Sequence, residues 1–105
     1  NIFGSRALHL FRFYFQMFYI YILLSTKDNS YYVGSCKNLI KRVGMHNSSL
    51  VRSTKSKVPW KLVYSENYDT LSKERNREIQ IKSWKKKVLI ERLIKTFENR
   101  IENPR

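Results

Sequence analysis

One cysteine, Cys36, in 105 residues cannot build an internal disulfide framework, and a free thiol fits a reducing cytoplasm. No Cys/His cluster with zinc-ligand spacing is present, which removes the small zinc folds. Acidic residues are scarce, with 8 Asp and Glu against 21 Lys and Arg, so the net charge is +13. No internal repeat and no domain boundary interrupts the chain. The longest apolar run, Leu8 to Leu24, is 17 residues and contains His9, Arg12 and Gln16. That length is at the lower limit for a membrane span, and a central Arg12 costs about 2.5–3.5 kcal/mol on insertion scales. No small-residue cleavage site follows the run, so it does not read as a signal peptide. No stable membrane association is expected.

What is present suffices for one modest core: 42% hydrophobic residues and 14% aromatics. The basic excess concentrates polyanions around the chain and says nothing about fold; nucleic acid is the first candidate partner and an anionic membrane surface the second. The chain starts at Asn1, whereas Met17 directly precedes Phe18-Tyr19-Ile20-Tyr21. The expected organisation is an N-terminal extension over 1–16 lying upstream of a natural start at Met17, a folded domain over 17–97, and a polar tail over 98–105.

Phe18 to Ser25 is apolar on alternate and adjacent positions alike, as expected of a strand buried on both faces. Thr26 to Ser30 supplies turn chemistry, and Tyr31 to Gly34 reads as the returning strand of a hairpin. If the loop has an even number of residues, Tyr21 and Tyr32 share one face. Asn38 is a plausible N-cap for a helix to Asn47, with Leu39, Ile40, Val43 and Met45 at roughly helical spacing and Arg42 and His46 one turn apart. Ser48 to Val58 is a polar, basic loop, and Trp60 to Tyr64 a third strand. Asp69 or Thr70 caps a helix running to about Trp84, and Lys85-Lys86-Lys87 leads into a last helix, Val88 to Phe97, with Leu89, Leu93 and Ile94 inward. Leu71, Ile81, Trp84 and Val88 set the inward stripe of the second long helix. At 100° per residue Glu78 falls about 20° from Leu71 and about 60° from Ile81. A carboxylate on a buried side is costly alone and tolerable with a cation or metal.

These residues carry a resemblance. Tyr19-Ile20-Tyr21, a gap of ten, then Tyr32-Val33-Gly34 resembles the paired signature of the GIY-YIG nucleases. Further matches follow in order: Ser35 to Arg42, His46-Asn47, Thr54-Lys55, Pro59 to Tyr64, Glu66, Arg77-Glu78 and Lys82-Ser83-Trp84. Coverage is about residues 18–95, similar to small stand-alone members related to the nuclease domain of the bacterial excinuclease C subunit. Tyr19 stands where the first signature has glycine, and Val33 where the second has isoleucine; neither exchange removes a reacting group.

The resemblance implies an α/β (α+β) fold with a central three-stranded, mainly antiparallel sheet flanked by helices. It implies a DNA endonuclease with Tyr21, Tyr32, Arg42, His46 and Glu78 as catalytic residues and Glu78 as ligand of Mg²⁺ or Mn²⁺. Chemically, the metal supplies Lewis acidity and Arg42 a planar fork for phosphate oxygens. Tyr21 is the general-base candidate, its hydroxyl expected to be acidified by Arg42 and the metal, with His46 and Tyr32 positioning water and phosphate. Arg52, Lys55, Lys57, Lys82, Lys85, Lys86 and Lys87 are candidate contacts to the DNA backbone. Each assignment has an ordinary structural alternative: core aromatics for the tyrosines, a solvated helix residue for Arg42, a backbone partner for His46, and an ion pair with Lys82 for Glu78. Cys36 reads as structural filler. The rival function is a non-catalytic nucleic-acid-binding module on the same fold; a third reading anchors residues 8–24 in a membrane.

Overall fold

A computed structural model describes residues 16–102; residues 1–15 of the extension and 103–105 of the tail lie outside the described residues. At its centre is strand β1, Phe18–Ser25, flanked antiparallel on one side by β2, Tyr31–Cys36, and on the other by β3, Trp60–Tyr68. A strand paired on both edges and covered on both faces must be apolar throughout. Ile20, Tyr21, Ile22 and Leu23 are accordingly all fully buried. Residues 18–24 of the apolar run are therefore sheet, not a membrane helix, and no helix among the described residues is long and apolar enough to cross a membrane.

The period-2 alternation of β1 divides the core in two. Ile20 and Ile22 face Tyr64 of β3 and the helix residues Ile81, Ile90 and Ile94. Tyr21 and Leu23 point the other way, toward Trp60, Tyr32, Leu39 and Val43. Each fully buried Ile or Leu contributes about 1.5–3 kcal/mol by leaving water. The hairpin register pairs Leu23 with Tyr32 and Tyr21 with Gly34, so Tyr21 and Tyr32 do share a face. Asn29 takes up a left-handed φ of 61° in the connecting turn, and Asp28 accepts bonds from the Ser30 backbone and hydroxyl.

Among the described residues three α-helices cover the sheet: α1, Leu39–Asn47; α2, Leu71–Lys82; and α3, Lys87–Glu102. The expected α+β architecture is the one observed. Asn38 caps α1 by accepting from the Lys41 N–H at 3.1 Å. At α2 the cap is Thr70, which accepts from the Lys73 N–H, while Asp69 pairs with the Lys73 ammonium. β3 continues past Tyr64 to Tyr68, because Glu66 on its extension is held by Arg77 of α2 and by the hydroxyls of Tyr64 and Tyr68. Residues 98–102 lie in α3 rather than in a tail. Along α3 the buried positions are Ile90 and Ile94, with Leu93 and Phe97 packed beside them.

The expected inward stripe of α2 needs correction. Ile81 is buried, but Leu71 and Val88 are largely exposed, and Glu74 is the other buried position. The helix stops at Lys82, so the 100° period does not carry on to Trp84 and Val88.

Candidate active site

Tyr21 reaches its surroundings by crossing Gly34. A Cβ built on Gly34 would lie 2.5 Å from the Tyr21 hydroxyl and 2.9 Å from the Tyr32 ring. Only a residue without a side chain lets the phenol pass over β2, the edge strand, toward α1. There the Tyr21 Oη lies 2.8 Å from His46 Nε2 and accepts from Arg42 Nε–H at 3.4 Å. Arg42 and His46 are one turn apart on α1, which places both over the same tyrosine. Tyr32 leans against the imidazole, ring centroids 5.1 Å apart.

His46 is held from its far side by Thr54, whose Oγ1 is 2.7 Å from Nδ1. Thr54 in turn donates to the Val51 carbonyl at 3.4 Å, so its oxygen is left to accept. The consistent tautomer carries the proton on Nδ1 and leaves Nε2 as acceptor for the Tyr21 hydroxyl. Thr54 is fixed because Trp60 Nε1–H donates to its carbonyl, and Asn47 clamps the Trp60 backbone with two hydrogen bonds of 2.6 and 2.9 Å. Asn47, Thr54 and Trp60 thus position the histidine.

The electrostatics differ from the expectation for Tyr21. Burial dominates and, with Tyr32 and Cys36 nearby, pushes the phenol up to about 12 despite the Arg42 contact. Burial also lowers the His46 imidazole below its usual value, and the Arg42 charge adds to that. Near neutral pH the pair is a neutral phenol donating to a neutral imidazole. Cys36, half-buried on the same face, has its thiol raised by burial and remains a protonated filler.

Glu78 stands apart from this group, on the opposite side of β2. It is one turn from Glu74 on α2, on the side of Ser35, which alternates with Gly34 and Cys36 along the strand. Lys82 contacts its Oε2 at 2.6 Å. Burial works against the Glu78 anion, but Lys82 and the neighbouring hydrogen bonds outweigh it and hold the carboxyl below its ordinary range. Glu74 goes the other way: burial, then the adjacent Glu78, push it up to about 7. The structure therefore joins Tyr21, Tyr32, Arg42 and His46 directly, and sets Glu78 across the edge strand from them. Among the described residues no group of three or more His, Cys, Asp or Glu forms a metal cage.

The basic residues fall in two places. Arg52 and Lys55 are exposed beside Thr54, next to the tyrosine pair; Lys57 pairs with Asp28 at 3.6 Å. Lys85, Lys86 and Lys87 line a groove of about 420 Å³ at the hairpin turn, on the far face of the sheet from Tyr21. Lys87 lies over the Tyr31 ring and bonds the Asn29 carbonyl. Lys82 is engaged with Glu78. Sequence reasoning gave Thr54 no role and passed over Glu74. Thr54 had a signal in its place within the matched Thr54-Lys55 pair; Glu74 had one in its position one turn before Glu78.

The GIY-YIG catalytic domain profile matches residues 17–93. The chain belongs to the GIY-YIG family, a nuclease superfamily. Relatives include a UPF0213 protein of Staphylococcus saprophyticus, 42% identical over 67 residues, which is 63% of this chain and 80% of the relative. A UPF0213 protein of Syntrophus aciditrophicus is 44% identical over 66 residues, 61% of this chain and 75% of the relative. One from Staphylococcus aureus is 37% identical over 78 residues, covering 73% of this chain and 93% of the relative. No solved structure matches the chain.

Proposed function

We propose that this protein is a divalent-metal-dependent endonuclease that hydrolyses DNA phosphodiester bonds in the cytoplasm, in a repair, recombination or mobile-element setting. The observation that supports this most is the Tyr21–His46 contact of 2.8 Å beside the Arg42 guanidinium. It sets a phenol, an imidazole and a guanidinium together at one edge of the sheet, the groups that a proton relay and a phosphate fork would need.

In this reading the Arg42 N–H groups not turned to Tyr21 bind phosphate oxygens, a task suited to a planar, permanently charged donor. A water lined up behind the phosphorus gives its proton to Tyr21 Oη as its oxygen bonds to phosphorus. Tyr21 passes its own proton to His46 Nε2, and the imidazolium is steadied by the Nδ1–H bond to Thr54. The ester oxygen leaves as the P–O bond breaks. The relay explains how a phenol held near 12 serves as a base at neutral pH: it never has to be a free phenolate.

The carboxylate side of β2 suits Mg²⁺ or Mn²⁺. Glu78 offers hard oxygen, and the buried Glu74 Oε1 beside it has no hydrogen-bond partner. A metal held by Glu78 and water would supply Lewis acidity toward phosphate and the leaving oxygen.

A second reading, a non-catalytic nucleic-acid-binding module, is favoured by one observation: Lys82 already sits on Glu78 Oε2. Incubation with branched, single-stranded and duplex DNA in Mg²⁺, Mn²⁺ or EDTA separates the two. Metal-dependent cleavage is expected; binding without turnover on every substrate would leave the module.

A further inference from the structure

Glu74 is 1% exposed, deeper than Glu78, and the relay described above makes no use of it. Its Oε1 is fully buried and no hydrogen bond reaches it from any described residue. Glu74 and Glu78 lie four residues apart on α2, one helical turn from each other on one face, and the charge of Glu78 raises the cost of ionising Glu74. Lys82 compensates Glu78, but no ion pair reaches Glu74 among the described residues. Two carboxyls side by side, one with a desolvated and unpartnered oxygen, cannot both be charged at low cost; either Glu74 takes up a proton or a cation joins the pair. Ser35, exposed on the adjacent edge strand, favours the charged form of both carboxyls, and its hydroxyl adds a third hard oxygen donor on that side.

We propose that Glu74 is a second carboxylate ligand of the divalent cation held by Glu78, with the Ser35 hydroxyl at the open rim of the site. This rests on the metal-dependent reading above and adds a residue to it. Hard cations of this class take several oxygen ligands, and the number of charged ligands tunes their affinity. Two carboxylates make the protein's share of the site tighter than one would, and leave the remaining positions to water and phosphate. Lys82, exposed and on a flexible stem, is displaced from Glu78 Oε2 as the cation enters.

The test uses the full chain and Mn²⁺ alone, without DNA, so that the readout is metal binding rather than cleavage. Calorimetric titration and the Mn²⁺-induced shift in melting temperature are measured for wild type, Glu74→Gln, Glu78→Gln and Asp69→Asn. Wild type is expected to bind, with affinity at least tenfold weaker in both glutamine variants and within twofold in Asp69→Asn, which removes the same charge outside the cluster. In EDTA, Glu74→Gln should melt above wild type because the buried charge conflict is gone. Should Glu74→Gln not fold, Glu74→Met provides the same comparison with an apolar side chain of similar length. Wild-type affinity in the Glu74 variant together with lost affinity in Glu78→Gln overturns this proposal alone. Absence of Mn²⁺ binding by the wild type overturns the metal-dependent reading and this proposal with it.

Discussion

Tyr21 and His46, 25 residues apart in sequence, meet through a 2.8 Å hydrogen bond in which Tyr21 Oη donates to Nε2. The direction is set from outside the pair, since Thr54 claims the proton of Nδ1. A β-strand phenol, a helix imidazole and a loop hydroxyl are thereby arranged in series. The series ends in a backbone carbonyl, which has no proton to return. Hydrogen-bond donation therefore runs one way, from Tyr21 through His46 and Thr54 to the Val51 carbonyl.

Tyr21→Phe removes this donor and keeps the ring that packs against Leu23, Tyr32 and Trp60. Single-turnover cleavage should fall on the order of 10²–10⁴-fold, the range of a lost general base. Stability should change by only about 0.5–1.5 kcal/mol in a denaturant titration, the worth of a hydrogen bond. A phenylalanine variant that cuts at the wild-type rate would take Tyr21 out of the chemistry.

Gly34→Ala tests the crossing rather than the hydroxyl. Its Cβ would lie 2.5 Å from the Tyr21 Oη, and either the phenol or β2 has to move. Overpacking of this kind costs about 1–3 kcal/mol. Turnover should drop as the contact with His46 is lost, while Arg42 keeps most of the DNA affinity. Unchanged turnover would mean that the tyrosine has room to reorient and that its observed position is not required.

Local pattern made much of this legible. The both-faces apolar run of β1, the Asp28-Asn29 turn and the Asn38 cap are decided by neighbours in sequence, so reading the neighbours finds them. The shared face of Tyr21 and Tyr32 was legible only on condition of an even-numbered loop, a condition met by the register that pairs Leu24 with Tyr31. The extension of β3 did not, because Ser65-Glu66-Asn67 is polar and poor in strand preference; what holds it is Arg77, eleven residues away on α2. The burial of Glu74 was lost by extending one helical period through Lys82 into a different helix. The high pKa of Tyr21 was missed for another reason. A nearby arginine is visible in a motif, whereas the burial that outweighs it exists only once the sheet and α1 have packed.

Glu66→Ala should destabilise the fold by about 1.5–3 kcal/mol, as loss of a charged partner from a half-buried hydrogen-bonded pair does. It would strand Arg77 and the two tyrosine hydroxyls. Burial alone would raise the Glu66 carboxyl, but Arg77, Tyr64 and Tyr68 outweigh it and leave it below the usual 4.5. A carboxyl depressed in the folded state stabilises fully above its unfolded value and loses that contribution as pH falls through its folded one. Wild-type unfolding free energy should therefore decline below pH 4.5, and the decline should be shallower in Glu66→Ala. Parallel curves for the two proteins would assign the acid sensitivity to other carboxylates.

DNA binding in EDTA should be steeply salt-dependent and nearly indifferent to sequence, given the net charge of +13. If around five phosphates are neutralised, log K should fall against log[salt] with a slope of about −4 to −5 on duplex. Separate charge-removing variants at Arg52 and Lys55, and at Lys85 to Lys87, then ask which side of the sheet carries the DNA. A reduced slope in the first set alone places the duplex along the loop beside Thr54. A reduced slope in the second alone places it across the hairpin turn. A shallow slope in the wild type would remove backbone charge as the main source of affinity.

The pH dependence of cleavage separates a relay from a lone phenolate. A Tyr21 acting by itself ionises with a pKa of about 12, so its rate would climb tenfold per unit through pH 9 and 10 without levelling. In the relay the required state is a neutral His46 able to take the proton. Its pKa is lowered from 6.5, first by burial and then by Arg42, so the imidazole is neutral above that value and protonated only in acid. The single-turnover rate should then rise through a pH below 6.5 and level off across the neutral range. His46→Gln keeps a polar side chain near the tyrosine but has no site that titrates there. It should cut slowly and lose the acid limb, while melting close to wild type when its amide bonds Thr54. Thr54→Val, which removes the Nδ1 acceptor but not the base, should cut at an intermediate rate and retain a limb. A profile that climbs steadily to pH 10 in both wild type and His46→Gln would show that the phenol ionises unaided, and the series from Tyr21 to Thr54 would then be packing alone.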